Sequence, residues 1–191
     1  MNKSTEKARL IALLGIFTAL AFILGFIESL IPPFTGIPGV KAGFANIVTM
    51  VVLYFPISFG TVSAETDQRH GTSGLTPSLS GYLCALGISV VRVLLGGITY
   101  NGMSAMIYGL TGAVFSLSVM FLLARIRCFS VTAVSVAGGV THNIAQLLLA
   151  VLMLGNAVIY YLPMLIISGL AAGLVIGLIA AVVIKRLVLI L

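Results

Sequence analysis

Charged residues are scarce in this chain, and acidic residues are almost absent. Only 7% of the 191 residues are charged, four are Asp or Glu, and there is no tryptophan, whereas 60% are hydrophobic. A soluble domain normally has about a quarter of its residues charged, because they cover its surface. The composition therefore excludes an ordinary soluble domain and indicates a protein that lipid surrounds.

Cysteine and aspartate are also rare, which narrows the chemistry. The two cysteines, Cys84 and Cys128, have no CxxC spacing and no nearby cluster of metal-type ligands, so we expect neither a disulfide framework nor a metal site. The chain has no Walker A sequence, so any ATP hydrolysis would belong to partners. We therefore expect no cofactor and no metal in this protein.

Long apolar runs dominate what is present. They predict an all-α integral membrane protein, a compact bundle of six transmembrane helices in a single domain. We place these helices at about 9–31, 40–55, 81–99, 103–124, 131–154 and 157–186. Residues 56–80 are polar and rich in Ser, Thr and Gly, and we expect a cytoplasmic loop there.

The net charge of +6 indicates topology rather than nucleic-acid binding. With the N-terminus in the cytoplasm, Lys41 alone falls outside and Arg92 falls in the bilayer. The remaining basic residues fall on the inner side: Lys3, Lys7, Arg9, Arg69, Arg125, Arg127, Lys185 and Arg186. This bias predicts a multi-pass protein of the cell membrane with both termini cytoplasmic.

Arg92 is the most informative residue, because it is the one charged side chain between Arg69 and Arg125 and lies inside an apolar run. A guanidinium at that depth costs roughly 2.5 to 3.5 kcal/mol on insertion scales and usually faces a cavity or a partner. The predicted spans offer one carboxylate near it, that of Glu28. Arg92 therefore either pairs with Glu28, binds an anionic ligand, or is satisfied by backbone carbonyls and water.

The fifth predicted helix carries the other set of polar side chains within the spans. His142 and Gln146 lie one helical turn apart and share a face, and Asn143 lies on an adjoining one. From the rise of the helix we expect them at about the same depth in the membrane as Arg92. They could form either a ligand site or a network of hydrogen bonds between helices. Near the outer mouth, Lys41, Asn46 and Tyr108 complete the predicted ligand-binding set.

Small residues recur at fourfold spacing on four of the predicted helices. Such rows allow helix backbones to approach closely in a membrane, so packing within the bundle is the simplest reading. The rows are Gly15 and Ala19; Ala105, Gly109 and Ala113; Ala133, Ala137, Thr141 and Ala145; and Gly169, Gly173 and Gly177. An exposed row at Gly15 and Ala19 would alternatively form a docking surface for another membrane protein.

Several segments carry a family resemblance. The six predicted spans and the PPFTGIPGVKAGFANIV segment resemble the substrate-binding S components of energy-coupling factor (ECF) transporters. KAGFANIVTMVVLY, ISVVRVLLGGI and VAGGVTHNIAQLLLA resemble the Gx transporter family, labelled heptaprenyl diphosphate synthase component I. The resemblance covers nearly the whole chain except the polar tract 56–80. It implies a small-molecule carrier that works with a transmembrane coupling subunit and ATPases, and it places Gly15 and Ala19 at the coupling-subunit contact.

The family label raises the alternative of an enzyme. Prenyl chain elongation needs paired Asp-rich sites that hold magnesium, and this chain has one aspartate, Asp67, so we expect no catalysis by this chain alone. A noncatalytic accessory role in heptaprenyl diphosphate or quinone metabolism stays open. A serine hydrolase with Ser104 and His142 is disfavoured, because the two residues lie at different depths.

Overall fold

The structure of the protein is a computed structural model and describes residues 3–30, 43–54, 77–126 and 128–190. These residues form six α-helices with no strand among them. The helices are α1 (Lys3–Leu30), α2 (Ala45–Tyr54), α3 (Leu79–Gly96), α4 (Met103–Ala124), α5 (Val131–Leu154) and α6 (Leu162–Ile190). The predicted all-α class is confirmed. Lys41 and most of the polar tract 56–80 lie outside the described residues.

Five of the six helices are long and apolar enough to cross a membrane, and α2 is the exception. Its 10 residues span about 15 Å, roughly half of a hydrocarbon core. We predicted a helix from about residue 40, but residues 43 and 44 are not helical and α2 begins at Ala45. Gly43 has φ +80°, a left-handed conformation that ends any helix entering from that side.

The other boundaries differ from the predicted ones by a few residues. Helix α1 begins earlier, at Lys3, and α3 begins at Leu79, since the Ser78 hydroxyl accepts a hydrogen bond from the Gly81 N–H at 3.0 Å. The predicted loop 56–80 is therefore two residues too long at its end. A 3₁₀ turn, Asn156–Tyr161, takes up the predicted start of helix six, so α6 begins at Leu162.

Helix α2 lies inside the bundle, in contact with α1, α3 and α6. Every residue from Val48 to Tyr54 is buried, which is the pattern of a helix enclosed on all sides. The remaining helices pack as neighbours, α1 on α3, α3 on α4, α4 on α5 and α5 on α6. The described part of α2 is thus enclosed by three of the longer helices, α1, α3 and α6.

The contact between α5 and α6 depends on the glycines of α6. A Cβ at Gly173 would lie 2.7 Å from Val136 Cα, one at Gly177 would lie 2.8 Å from Thr132 Cα, and one at Gly169 would lie 2.8 Å from the Gly139 carbonyl oxygen. The two backbones therefore touch directly in an antiparallel register. This confirms the packing interpretation for the row at Gly169, Gly173 and Gly177.

The row on α1 has a different environment. Gly15 and Ala19 are both exposed, and a Cβ at Gly15 would meet nothing within 4 Å. This face therefore packs against none of the helices that the structure describes. Its role in docking stays a prediction.

Candidate functional site

Arg92 and Asn46 join α3 to α2 inside the bundle. Arg92 Nη2 donates a hydrogen bond to Asn46 Oδ1 at 3.2 Å. Arg92 Nε is buried and has no hydrogen-bond partner among the residues that the structure describes. An unsatisfied buried donor costs about 1 to 3 kcal/mol, more for a charged group, so this N–H is a position where a ligand acceptor would be stabilised.

Glu28 occupies the neighbouring position on α1. Its side chain is buried, its carboxylate accepts a hydrogen bond from the Gly43 N–H, and its charge interacts electrostatically with Arg92. A Cβ at Gly43 would lie 3.3 Å from Asn46 Nδ2, so glycine keeps this approach to α2 open. Glu28 therefore links the end of α1 to the start of α2 beside the guanidinium.

Tyr100 belongs to the same cluster through an irregular turn. Gly97–Asn101 form a π-helical turn at the end of α3, and Gly102, with φ +83°, separates it from α4. The Tyr100 hydroxyl lies 2.9 Å from the position of a Cβ on Gly25, and Arg92 Nη1 lies 3.9 Å from the same position. Its ring packs against Phe22 and Phe26, with centroids 5.6 and 5.5 Å away.

His142 is held between α4 and α5. Its Nε2 lies 3.1 Å from Gln146 Nε2, and the ring also hydrogen-bonds the backbone of Gly112. With the Gln146 amide donating, Nε2 is the acceptor, so the neutral ring carries its proton on Nδ1. A Cβ at Gly112 would lie 2.7 Å from His142 Cε1, so α4 needs glycine there.

A polar cavity connects these elements in the interior. Its volume is about 20 Å³, room for about one water molecule. The polar side chains that line it come from α2, α3, α4 and α5. They are Asn46, Thr49, Ser89, Ser116, Ser135 and His142. Asn46 thus contacts Arg92 and also lines the cavity, as His142 does.

The predicted ligand-binding residues and Glu28 have different environments in the structure. The structure brings Arg92, Asn46 and Glu28 together, and His142, which Gln146 contacts, lines the same cavity as Asn46. Asn143 instead donates to the Leu165 carbonyl oxygen at 2.8 Å and to Ser168 Oγ at 3.0 Å, so its amide faces α6. Tyr108 lies half-buried on α4, and Lys41 is outside the described residues. Ligand contact stays a prediction for each of them.

Sequence reasoning left four hydroxyls and one tyrosine out of the site. Thr49 lies three residues after Asn46, and Ser89 lies three residues before Arg92, so helical spacing could have found both. Ser116 and Ser135 belong to helices whose rotation the sequence leaves open. Tyr100 reaches Arg92 through the π turn, and apolar periodicity carries no signal for such a turn.

The arrangement offers hydrogen bonds and one cationic group, and it offers no cluster for a metal. No group of three or more His, Cys, Asp or Glu side chains that could hold a metal ion occurs within the described ranges. The described residues therefore present a buried guanidinium, a neighbouring carboxylate and several neutral hydrogen-bonding side chains inside a helical bundle.

Fold and site together define a multi-pass helical membrane protein with a buried polar site. A model of the family heptaprenyl diphosphate synthase component I matches residues 17–62 and 75–183, and the chain belongs to this family. The interruption falls within the polar tract 56–80. No curated protein and no solved structure matches the chain.

Proposed function

We propose that this protein is the membrane-embedded substrate-binding subunit of an ECF-type importer, and that its ligand is a small anionic or amphipathic solute. The observation that carries the proposal is Arg92, a buried guanidinium that donates to a neutral amide and whose Nε has no partner in the part of the chain that the structure describes. The resemblance of the chain to S components supports the carrier role.

The energetics of Arg92 favour a ligand anion. The neutral partner Asn46 satisfies one N–H, and the buried Glu28 carboxylate interacts with the charge of Arg92, but neither supplies an acceptor for Nε among the described residues. An anionic group that accepted from Nε would satisfy the remaining donor and add a charge-assisted hydrogen bond. Such a bond is about twice as strong as one between neutral groups.

The ligand is expected to enter from the outer end of the bundle, where Arg92, Glu28 and Tyr100 lie. The cavity beneath them holds about one water, so it must widen to accept a solute. Met50 and Met120 line it, and their unbranched side chains can adopt new rotamers more easily than branched ones. The cavity can therefore widen through movement of side chains around α2.

Native mass spectrometry of the purified protein, with and without Arg92→Gln, tests the binding role. We expect a small anion that remains bound to the unaltered protein and is lost from the variant. The control is Arg125→Gln, which removes an exposed guanidinium that stacks 4.6 Å from the Phe121 ring centroid. Equal retention by Arg92→Gln and the unaltered protein would refute the assignment of the site.

The partners of an importer would dock on the exposed face of α1. Leucine at Gly15 or Ala19 adds bulk to a surface that no described helix contacts, so folding should persist. A transmembrane coupling subunit and ATPases should then no longer copurify with these variants. The control is leucine at Gly87, which is exposed on α3 and has nothing within 4 Å of its Cβ position, and this variant should still copurify with the partners. Unchanged copurification in the α1 variants would argue against this docking surface.

The name of the family favours a second candidate, a noncatalytic membrane accessory of heptaprenyl diphosphate or quinone metabolism. The chain has one aspartate, so the Asp-rich sites of prenyl elongation would belong to a partner. Copurification of a soluble prenyl synthase subunit, without ATPases, would support this role over the importer.

A further inference from the structure

A second recess, separate from the polar cavity, lies on the surface that α5 and α6 form together. It is an open groove of about 640 Å³. The α5 wall begins at Ser130 and ends at Thr141, and Leu170 and Leu174 form the α6 wall. The residues between these limits are Thr132, Ala133, Val136, Ala137 and Val140. The small side chains of Ala133 and Ala137 form the floor of the groove.

We propose that this groove binds one acyl chain of an anionic phospholipid, with the headgroup at Lys185. The site is independent of Arg92 and of the proposed importer role. Three features of the groove favour this ligand: the chemistry of its wall, its length and the charge near its end.

The wall suits hydrocarbon, because most of its side chains are apolar and two of its three hydroxyls are hydrogen-bonded to the backbone of α5. The Thr141 hydroxyl donates to the Ala137 carbonyl at 2.7 Å, and the Ser130 hydroxyl accepts from the Ala133 N–H at 3.2 Å. Both bonds stay within α5, and Thr132 contributes the third hydroxyl of the wall. Alanine, valine and leucine side chains supply the rest of the surface, which matches an acyl chain in chemistry.

The length of the groove matches one leaflet. From Ser130 to Thr141 the helix rises about 16 Å, roughly half of a 30 Å hydrocarbon core. A transmembrane helix of a partner would need a contact surface across the whole core, and the groove stops at mid-membrane. A single acyl chain fits this extent better than a helix does.

The charge lies at the end where a headgroup would be. Lys185 is exposed and lies eleven residues after Leu174, so the two share a face of α6 within about 20°. The α5–α6 register pairs Thr132 with Gly177, which places Lys185 about 12 Å beyond the first turn of α5. A flexible lysine at this level can reach a lipid phosphate at the membrane surface. Arg186, about 100° away, points off this face.

Binding can be measured by native mass spectrometry of delipidated protein titrated with palmitoyl-oleoyl phosphatidylglycerol or phosphatidylcholine. One lysine near an anionic lipid is worth about a fivefold preference, so phosphatidylglycerol should bind about fivefold more tightly. Lys185→Gln should abolish this preference, and Arg186→Gln should preserve it. Equal loss in both variants, or equal affinity for both lipids, would overturn the proposal.

A second pair of variants tests the groove itself. Ala133→Phe fills the floor and should reduce binding of phosphatidylglycerol severalfold, whereas Val175→Phe, at an exposed position outside the groove, should leave it unchanged. If Ala133→Phe does not fold, the lysine pair still decides the outcome. Undiminished binding to folded Ala133→Phe, or occupation by an isoprenyl diphosphate or a second copy of the chain, would also overturn the proposal.

Discussion

Arg92 and Asn46 lie 3.2 Å apart, guanidinium Nη2 to amide Oδ1, and through this bond α3 holds α2 inside the bundle. Asn46 is therefore both a structural partner of the charge and a wall of the polar cavity. A change at residue 46 that leaves its shape intact can separate these roles.

Asn46→Asp replaces the amide with a carboxylate of the same shape beside Arg92. We expect the ion pair to preserve or raise thermal stability and to reduce retention of a ligand anion at least tenfold, because the new carboxylate occupies the guanidinium. Stability can be followed through a thiol-reactive dye that reports exposure of the buried Cys84, in a Cys128→Ser background. Asn46→Ala should instead lower stability, since it removes the acceptor. Unchanged retention in Asn46→Asp would contradict this account.

Gly112→Ala tests the contact between α4 and His142. The added Cβ would lie 2.7 to 2.8 Å from three atoms of the ring, so we expect a loss of about 1 to 3 kcal/mol in the free energy of unfolding. His142→Ala should relieve the clash, so the double variant should be more stable than the sum of the single changes predicts. Additive losses would show that the ring does not occupy this space.

Gly139→Ala tests the closest approach of α5 and α6. Its Cβ would lie 2.4 Å from the Gly169 carbonyl oxygen, and backbone cannot move aside as a side chain can. We expect a loss of more than about 2 kcal/mol or failure to fold. Gly87→Ala is the matched control, because its Cβ meets nothing within 4 Å and alanine favours the helix by about 1 kcal/mol. Similar stability of the two variants would contradict the close contact of α5 with α6 at Gly139.

Asn143→Ala separates helix packing from ligand contact. The loss of two hydrogen bonds to α6 should cost about 0.6 to 1.7 kcal/mol for each interaction, with retention of the ligand unchanged. Asn156→Ala, at an exposed position in the 3₁₀ turn, should change neither property. Loss of the ligand from a stable Asn143→Ala variant would return Asn143 to the binding site.

The glycine rows show how far sequence patterns can be interpreted. Fourfold spacing was enough to predict close packing for the row at Gly169, because a small-residue face is useful only where another backbone approaches. The same spacing at Gly15 accompanies an exposed face, so spacing alone does not say whether a partner helix belongs to the same chain. Only the arrangement of all the helices separates these cases.

The sequence by itself determined the class of the protein, the helical character of its spans and the presence of one isolated charge. Lipid requires that each span satisfy its backbone internally, so composition and run length suffice for these conclusions. The tertiary structure decided that Arg92 meets Asn46, that the Asn143 amide faces α6, and that α2 is enclosed by α1, α3 and α6. These outcomes depend on the rotation and register of each helix. Contacts between residues distant in the chain set both, and periodicity along one helix does not record them.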